Sequence, residues 1–157
     1  MPLAGLESTT GTTIAVVAAE PATYDLAGFE ALTFVPVVGV VTFGSWGDEN
    51  EDVNEPLLAE GRVIHTVGTA DGGSVEISVQ HRTTDAGSDI LRANGGTNTL
   101  VSIKKTYASG DAEYGVAVIS AAKFREASSN SVRGYTCMAM LNSGILEATA
   151  AEIAALP

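Results

Sequence analysis

Alternation of apolar and polar side chains is the feature of this sequence that most restricts its fold. In SVEISVQH, Val75, Ile77 and Val79 fall on one face of an extended chain and polar residues fall on the other. This period of two is typical of a strand with one face in water. The segment before it, RVIHTVGTADGG, ends in residues that favour a tight turn. We therefore predict that residues 62–69 and 74–81 pair as a hairpin.

Two further segments extend this pattern. TLVSIKKTYASGDAEYGVAVISAAKF predicts a second hairpin, with its turn at residues 108–111. SVRGYTCMAML predicts another returning strand after the polar loop REASSN. The sequence thus indicates a mainly β, antiparallel fold.

One helix interrupts the strands. In TTDAGSDILRANGG, Thr84 or Asp85 can cap the first turn, and Gly95 or Gly96 can end the last one. We predict that its buried stripe comprises Ala86, Ile90, Leu91 and Ala93. The segment EATAAEIAAL near the C-terminus is either a second, weaker helix or a loose tail.

Two predicted strands are apolar on both faces. They are LTFVPVVGVVTF, residues 32–43, and YGVAVISAA, residues 114–122. A strand in a small antiparallel domain normally leaves one face to water, so a second apolar face needs a cover. The helix or another subunit could supply it.

Length and cysteine content restrict the class of protein. A chain of 157 residues can bury the core of one domain without disulfides or metals. Its single cysteine, Cys137, has no partner thiol for a disulfide or a zinc site. The N-terminus lacks a basic region, and the apolar run at residues 14–19 is far shorter than a membrane span. We expect a soluble protein without a targeting peptide.

Charge is distributed unevenly along the chain. Residues 1–61 contain ten of the 19 acids and no lysine or arginine, whereas all eight bases follow. Exposed ion pairs contribute at most about 1 kcal/mol each, so a monomer gains little from this arrangement. A repeating assembly gains more, because acidic and basic surfaces of different copies attract one another. Clustered bases with interleaved aromatic residues, typical of nucleic-acid binding, are absent from the sequence.

The acidic stretch FGSWGDENEDVNEPLLAEG, residues 43–61, is the first candidate site. Asp48, Asn50 and Asp52 have the spacing of a calcium loop, but Val53 and Ala59 occupy the positions of its glycine and its bidentate glutamate. We therefore favour a solvated or partner-facing loop over a calcium site. Trp46 fits either a plug in the core or an anchor for a neighbouring chain.

No catalytic motif is present in the sequence. His65 and His81 lie on predicted strands without metal-ligand spacing to an acid, and Phe43 stands where a nucleophile elbow around Ser45 needs glycine. Cys137 alternates within a strand as a small hydrophobic residue. Lys104 and Lys105 point to opposite faces of one strand and form no patch. We predict no enzymatic activity and no cofactor.

The order of these segments resembles that of the major tail tube proteins of long-tailed bacteriophages. The matching segments are PATYDLAGFEALTFVPVVGVVTFGSWG, the acidic insertion that returns at EPLLAEG, VGTADGGSVEISVQHRTTDAGSDILRANGG and LVSIKKTYASGDAEYGVAVISAAKF. Together they cover roughly residues 21–141.

The resemblance implies an antiparallel β-sandwich or barrel with one flanking helix and a long hairpin loop. It also implies hexameric rings that stack into a tube, through which DNA passes without specific binding. Its divisions of the single domain would be an N-terminal arm at 1–20, a stacking loop at 44–61, a flanking helix at 83–96 and a C-terminal tail at 143–157.

The stacking loop would carry the contacts between rings. Its residues would be Trp46, Asp48, Glu49, Glu51, Asp52 and Glu55. The basic counterparts on the next copy would be drawn from Arg62, Arg82, Lys123, Arg125 and Arg133. Candidates for the lumen or its rim are Asp111, Glu113 and Glu126.

The partners implied are further copies of the chain and the tape measure, tail terminator and distal tail proteins, with no membrane. The protein would be located in the virion tail, after synthesis in the cytoplasm of the bacterial host. The alternative is another β-rich virion component, such as a capsid decoration or tail-completion protein. A secreted hydrolase or carbohydrate-binding module is disfavoured, because only 6% of residues are aromatic and no signal peptide is visible.

Overall fold

The fold is built mainly from antiparallel strands. The structure is a computed structural model that describes residues 5–59 and 61–157. The elements in chain order are β1 (Thr13–Val17), α1 (Leu26–Glu30), β2 (Val35–Val37), β3 (Val40–Phe43), β4 (Glu49–Leu57), β5 (Arg62–Asp71), β6 (Ser74–Gln80), α2 (Ala86–Asn94), β7 (Leu100–Thr106), β8 (Ala112–Ile119), β9 (Lys123–Phe124), β10 (Gly134–Leu141), β11 (Leu146–Ala148) and α3 (Ala150–Ala154).

Nine of these strands form one sheet and the remaining two form another. The large sheet has the order β2-β1-β7-β8-β10-β6-β3, with β11 paired to β8 and β9 paired to β10. The small sheet contains only β4 and β5. Every pair is antiparallel. The prediction of a mainly antiparallel β fold is confirmed.

The large sheet curls toward closure. β2 and β3 stand at opposite ends of its strand order, yet only Val38 and Gly39 connect them. At this corner the Gly39 N–H donates to Asp85 Oδ2 at 3.0 Å, and the Gly39 carbonyl accepts from the Gln80 N–H at 2.7 Å. A Cβ at position 39 would lie 2.1 Å from the Gln80 carbonyl oxygen, so only glycine fits. Because only Val38 and Gly39 connect the two edge strands, the sheet curls into the shape of a barrel.

Apolar residues fill the inside of this barrel. The inner core cluster alternates along the strands, as Val75, Ile77 and Val79 of β6 and Cys137 and Ala139 of β10 illustrate. These buried residues recur with the strand period of two, and for that reason alternation in the sequence identified them.

Strand β8 is buried on both faces. Ala117 and Ile119 join the inner cluster, whereas Tyr114 and Val116 join a second cluster on the outside of the sheet. Phe29 of α1 is part of that outer cluster. The second apolar face of β8 is thus covered by elements of the same chain, and α1 is one of them.

Two predictions about the strands are wrong, one on strand pairing and one on the continuity of a strand. Strand β5 does not pair with β6; it pairs with the acidic segment β4, while β6 pairs with β10 and β3. Gly72 and Gly73 therefore join two sheets instead of turning a hairpin. The segment 32–43 is not one strand apolar on both faces. It contains β2 and β3, and Val38 between them is exposed.

Two other local predictions are confirmed. Strands β7 and β8 form the hairpin predicted around residues 108–111, where Tyr107 N–H donates to the Asp111 carbonyl. Helix α2 is capped by the Asp85 side chain, which accepts from the Ser88 N–H at 3.1 Å. Its buried face differs from the prediction, because Gly87, Ser88 and Leu91 are buried while Ala86 and Ala93 are exposed.

Regular elements lie within the predicted divisions of the chain. Within the N-terminal arm, residues 13–17 form β1, which lies inside the large sheet between β2 and β7; residues 1–4 lie outside the described part of the chain. The stacking loop contains a regular strand, β4, although residue 60 is not described. The C-terminal tail forms β11 and α3, and α3 has a capping box at Thr149 and Glu152. Of the alternatives for the C-terminal segment, a weak helix or a loose tail, the structure has the helix, α3, whereas α1 was not predicted.

Candidate functional site

The most exposed part of the molecule is the hairpin of β4 and β5, which we call the acidic ribbon (residues 49–71). Glu49 lies opposite Asp71 at its base, and Leu57 lies opposite Arg62 near its tip. Apart from partly buried Gly68, all residues of its two strands are exposed. A two-stranded hairpin is at best marginally stable in water by itself. The ribbon is therefore held by few contacts to the rest of its own subunit.

The acidic ribbon exposes aliphatic side chains among its carboxylates. Leu58 at the tip is fully exposed, and Val67 is 70% exposed. The other exposed aliphatic residues are Val53, Leu57, Val63 and Ile64. Since residues opposite each other share a face, both faces mix apolar and polar groups. Such a surface is typical of a protein interface.

A bulge bends the acidic ribbon near its base. The register shifts between Asn50 and Asp52, opposite Gly68. A Cβ at Gly68 would lie 2.7 Å from Val53 Cγ2 and 2.9 Å from the Glu51 carbonyl oxygen. Bulges increase local twist and redirect a strand, so this one sets the direction of the distal half.

Asp48, Asn50 and Asp52 are not arranged around a central point, because residues 49–57 are extended. Asp52 instead lies 2.8 Å from His65 Nδ1 on the neighbouring strand. Within residues 5–59 and 61–157, no group of three or more His, Cys, Asp or Glu side chains is arranged to hold a metal ion.

Trp46 anchors the base of the acidic ribbon in the core of its own subunit. Its ring meets Phe43 edge to face with centroids 5.0 Å apart, and its Nε1–H donates to Glu113 Oε2 at 2.6 Å. Gly115 leaves room for it, because a Cβ there would lie 3.1 Å from Trp46 Cζ3. Of the two alternatives for Trp46, the structure supports the core plug.

Glu113 is the centre of a hydrogen-bond network beneath Trp46. Its carboxylate also accepts from the Tyr107 hydroxyl at 2.6 Å and from Lys105 Nζ at 3.2 Å. Burial raises the pKa of Glu113, but the hydrogen bonds from Tyr107 and Trp46 and the charge of Lys105 outweigh it and hold that pKa below its usual value. Glu113 is therefore held by contacts within its own subunit.

The other two lumen candidates differ in their contacts. Asp111 Oδ1 accepts from the Ala150 N–H at 2.9 Å, which connects the β7–β8 turn to helix α3. Glu126 is exposed in the loop after β9.

Four of the five predicted basic counterparts lie together. We call this surface the cationic end, and its bases are Arg82, Lys123, Arg125 and Arg133. Backbone pairing brings them together, because the His81 N–H donates to the Arg133 carbonyl and the Arg125 N–H donates to the Gly134 carbonyl. Lys123 lies opposite Thr136 in the same ladder. The fifth base, Arg62, lies near the tip of the acidic ribbon.

The acidic ribbon and the cationic end occupy opposite ends of strand β6. The ribbon joins the large sheet through Gly72 and Gly73, directly before Ser74, whereas Gln80 pairs with Gly134 at the cationic end. At about 3.3 Å per residue, the two ends of β6 are roughly 20 Å apart. The unequal charge along the sequence is thus a separation of charge in space.

The histidines and the cysteine form no shared site. His65 lies on the acidic ribbon and His81 lies beside the cationic end. Cys137 is buried, and this burial raises the pKa of its thiol to about 11, so it is unreactive at neutral pH. None of the helices in the described residues is long and apolar enough to cross a membrane.

Comparison with solved structures identifies the fold. The SPP1 tail tube superposes with a TM-score of 0.65 at 13% identity, covering 93% of this chain and 84% of that one. The tail of a gene transfer agent particle, solved with C6 symmetry, gives a TM-score of 0.64 at 14% identity over 92% of this chain and 100% of that one. This chain has the tail tube fold.

The tail tube fold also occurs in contractile injection systems. The sheath-tube complex of the extracellular system PVC gives a TM-score of 0.60 at 9% identity and covers 94% of each chain. The sequence matches no family model and no curated protein. At identities of 13%, 14% and 9%, this chain shares the fold of these structures but few of their residues.

Sequence reasoning missed two parts of the surface. The sequence pattern placed the strand of Val63, Ile64 and Val67 in a hairpin with β6. This strand directly follows the acidic segment, and that position was the signal that the two could pair with each other. Phe124 was treated as the end of a strand, although it lies between two bases in the sequence.

Proposed function

We propose that this chain is the structural subunit of a bacteriophage tail tube, that it forms hexameric rings, and that it has no enzymatic activity. The likeness to tail tube structures over more than nine-tenths of the chain supports this proposal. The separation of the acidic ribbon from the cationic end is the observation that carries it. Copies arranged head to tail place opposite charges against each other, and the contact repeats without limit.

In this proposal the acidic ribbon is the contact between successive rings. The carboxylates of Glu49, Glu51, Asp52 and Glu55, together with Asp48 directly before the ribbon, face the cationic end of the next copy. The aliphatic side chains between them become buried there. Trp46 contributes indirectly, because it holds the base of the ribbon against Glu113 and Gly115.

Contacts within a ring use the edges of the large sheet. β2 pairs with β1 and β3 pairs with β6, so each has one edge without a partner in the described chain. Unpaired edges of this kind readily pair with other chains. Val38 and Val41, both more than half exposed at this corner, are suited to a lateral contact.

The lumen of such a tube would pass duplex DNA without binding it specifically. DNA carries about one negative charge per 1.7 Å of its axis, and a channel lined with bases would retain it. A chain with a net charge of −11 suits a conduit that does not hold its cargo. The tube would lie in the virion tail, and its other partners would be the tape measure, terminator and distal tail proteins.

The second candidate is a tail-completion protein that ends a tube. A sheath/tube terminator and a tube-terminating cap share the fold, with TM-scores of 0.59 and 0.56. Such a protein would form a single ring and stop, whereas a tube subunit would add further rings.

Electron microscopy of the purified protein tests the proposed function. Wild-type protein at high concentration should form tubes of stacked rings of even width. The matched variant replaces residues 51–69 with a two-residue Asn-Gly turn between the paired residues Asn50 and Ala70. Because the acidic ribbon contributes no residue to the core clusters, this variant should melt within about 2 °C of wild type and form no tubes.

Normal tube growth by the shortened variant would reject the stacking role. Single rings from wild-type protein, with no tubes at any concentration, would favour the tail-completion protein.

A further inference from the structure

Phe124 is an exposed aromatic residue at the cationic end. Its side chain is 66% exposed on the short strand β9, on the face opposite to that of its neighbours Lys123 and Arg125. One edge of the ring meets buried Tyr135, with centroids 6.4 Å apart. The rest of the ring faces outward, although burying a phenylalanine side chain contributes about 1.5–3 kcal/mol. Aromatic residues placed in this way are frequent anchors of interfaces.

A shallow cleft adjoins Phe124. It is lined by His81, Arg92, Arg133 and the backbone of Gly134, with Tyr135 at its floor. The acids nearby are few: Asp89 pairs with Arg92, and Glu126 follows Arg125 in the chain. Arg125 also donates to Ser78 Oγ at 2.6 Å, which fixes its guanidinium beside the sheet. Arg125 and Lys123 lie on the other face of β9, so the surface around Phe124 is an apolar ring bordered on one side by Arg92 and Arg133.

The acidic ribbon has the complementary composition. It offers aliphatic side chains bordered by carboxylates, as at Ile64 opposite Glu55 and at Val67 opposite Asp52. It cannot reach the cationic end of its own subunit as a paired strand, because it leaves β6 at the far end and pairs only with itself. A second copy of the chain can bring the two surfaces together.

We propose that Phe124 is the apolar anchor on which the acidic ribbon of a second copy docks, with its ring packed against the ribbon's exposed aliphatic side chains. This inference rests on the proposed stacking of subunits and assigns the residue that carries the apolar part of that contact. The bases around Phe124 orient the incoming ribbon, and the buried ring slows its release. Both kinds of contact are needed, because exposed ion pairs alone contribute little.

Thiol cross-linking between copies tests the contact directly. The native Cys137 is 2% exposed, so an introduced cysteine supplies the accessible thiol. Phe124→Cys protein is mixed with Ile64→Cys or Val63→Cys protein and treated with a short bismaleimide. Ile64 and Val63 point to opposite faces of the ribbon, so whichever face docks, one mixture should give cross-linked dimers. The matched control is Tyr24→Cys, mixed with the same ribbon variants; Tyr24 is also exposed but lies on the outside of the large sheet beside Phe29.

Efficient dimers in one of the two mixtures, with few from Tyr24→Cys, would support the proposal. Absence of dimers from both mixtures, or equal dimers from Tyr24→Cys, would overturn it. If wild-type protein forms tubes but neither mixture cross-links, the stacking function stands and the role of Phe124 fails. If a mixture cross-links but wild-type protein forms no tubes, the contact stands and the tube function fails.

Tube growth provides an independent readout. Phe124→Ser should raise the protein concentration needed for tube growth about tenfold or more, while Tyr24→Ser, at an exposed aromatic residue on the outside of the large sheet, should have a smaller effect. The melting temperature of Phe124→Ser should stay near that of wild type, because the ring is largely exposed. Unchanged growth by Phe124→Ser would contradict the proposal. The proposal would also be contradicted if wild-type protein retained duplex DNA and the Phe124→Ser variant did not.

Discussion

Two neighbouring lysines on strand β7 illustrate how single residues organise this subunit. Lys104 Nζ lies 2.6 Å from Glu30 on helix α1, and Lys105 Nζ lies 3.2 Å from Glu113 under Trp46. Their side chains extend from opposite faces of the strand, as the sequence predicted. Each partly buried ion pair therefore connects β7 to a different layer, one to the outer helix and one to the base of the acidic ribbon.

These carboxylates make stability depend on acid pH. Burial raises the pKa of Glu30, but hydrogen bonds from Lys104 and Tyr114 outweigh it, and Glu113 is held low in a similar way. A carboxyl group whose pKa is lower in the folded state contributes stability above its unfolded pKa and loses it as the pH falls through the folded value. Below about pH 4.5, the ordinary value for glutamate, both contributions decline.

We predict that the free energy of unfolding falls as the pH is lowered from about 6 to about 3. Glu113→Gln should lose about 1–3 kcal/mol at pH 6, because three donors lose a charged acceptor, and should show a weaker decline with pH. Urea denaturation over this pH range is the measurement. Glu147→Gln is the control, because Glu147 lies opposite Glu113 on the next strand but is exposed. Equal pH profiles for wild type and Glu113→Gln would contradict the assignment.

At the scale of elements, strand β8 shows why covering a second face matters. Tyr114 and Val116 are fully buried on the outside of the sheet, where they pack with Phe29. The Phe29 ring lies 5.3 Å from that of Tyr114. The sequence predicted that this face is covered and left the cover open between the helix at 83–96, which is α2, and another subunit. Helix α1 is part of the cover, and the sequence did not predict it, because its five residues are too few for periodicity to reveal it.

We predict that Phe29→Ala lowers the free energy of unfolding by about 3–5 kcal/mol, because it removes a fully buried ring between α1 and β8. Chemical denaturation measures this loss. Tyr24→Ala is the matched control: its ring touches the same cluster edge to face but is 53% exposed, so its effect should be much smaller. A loss below about 1 kcal/mol for Phe29→Ala would indicate that α1 does not cover β8.

At the scale of the whole molecule, charge separation governs how copies meet. Attraction between exposed charges depends on ionic strength, since the Debye length falls from about 10 Å at 0.1 M salt to about 3 Å at 1 M. Burial of the aliphatic side chains of the ribbon does not weaken with salt in this way. The rate of encounter should therefore be more sensitive to salt than the stability of finished tubes.

We predict that the rate of tube growth, followed by light scattering, falls about tenfold or more between roughly 0.05 M and 0.5 M sodium chloride. A Lys123→Gln, Arg133→Gln double variant should grow slowly at low salt and show a weaker dependence, because it lacks two bases of the cationic end. Tubes already formed should persist after a jump to the higher salt. A growth rate that is independent of salt, or that rises with it, would contradict electrostatic steering.

The sequence by itself determined the features that arise from local periodicity and composition. Alternation identified β6 and the hairpin of β7 and β8, and Asp85 marked the start of α2, because strand period and helix caps depend on neighbours along the chain. The separation of acids and bases was equally visible. A resemblance in the order of segments implied the tail tube fold, which the structure has.

Only the tertiary structure decided which strands pair and which charges meet. β5 pairs with the acidic segment β4 instead of β6, because pairing depends on where distant segments close the sheet and not on the pattern within one strand. The cationic end is assembled from residues 82, 123, 125 and 133, which come together only through the ladder of β6, β9 and β10. Partial burial of Trp46 and exposure of Phe124 likewise depend on packing between elements far apart in sequence.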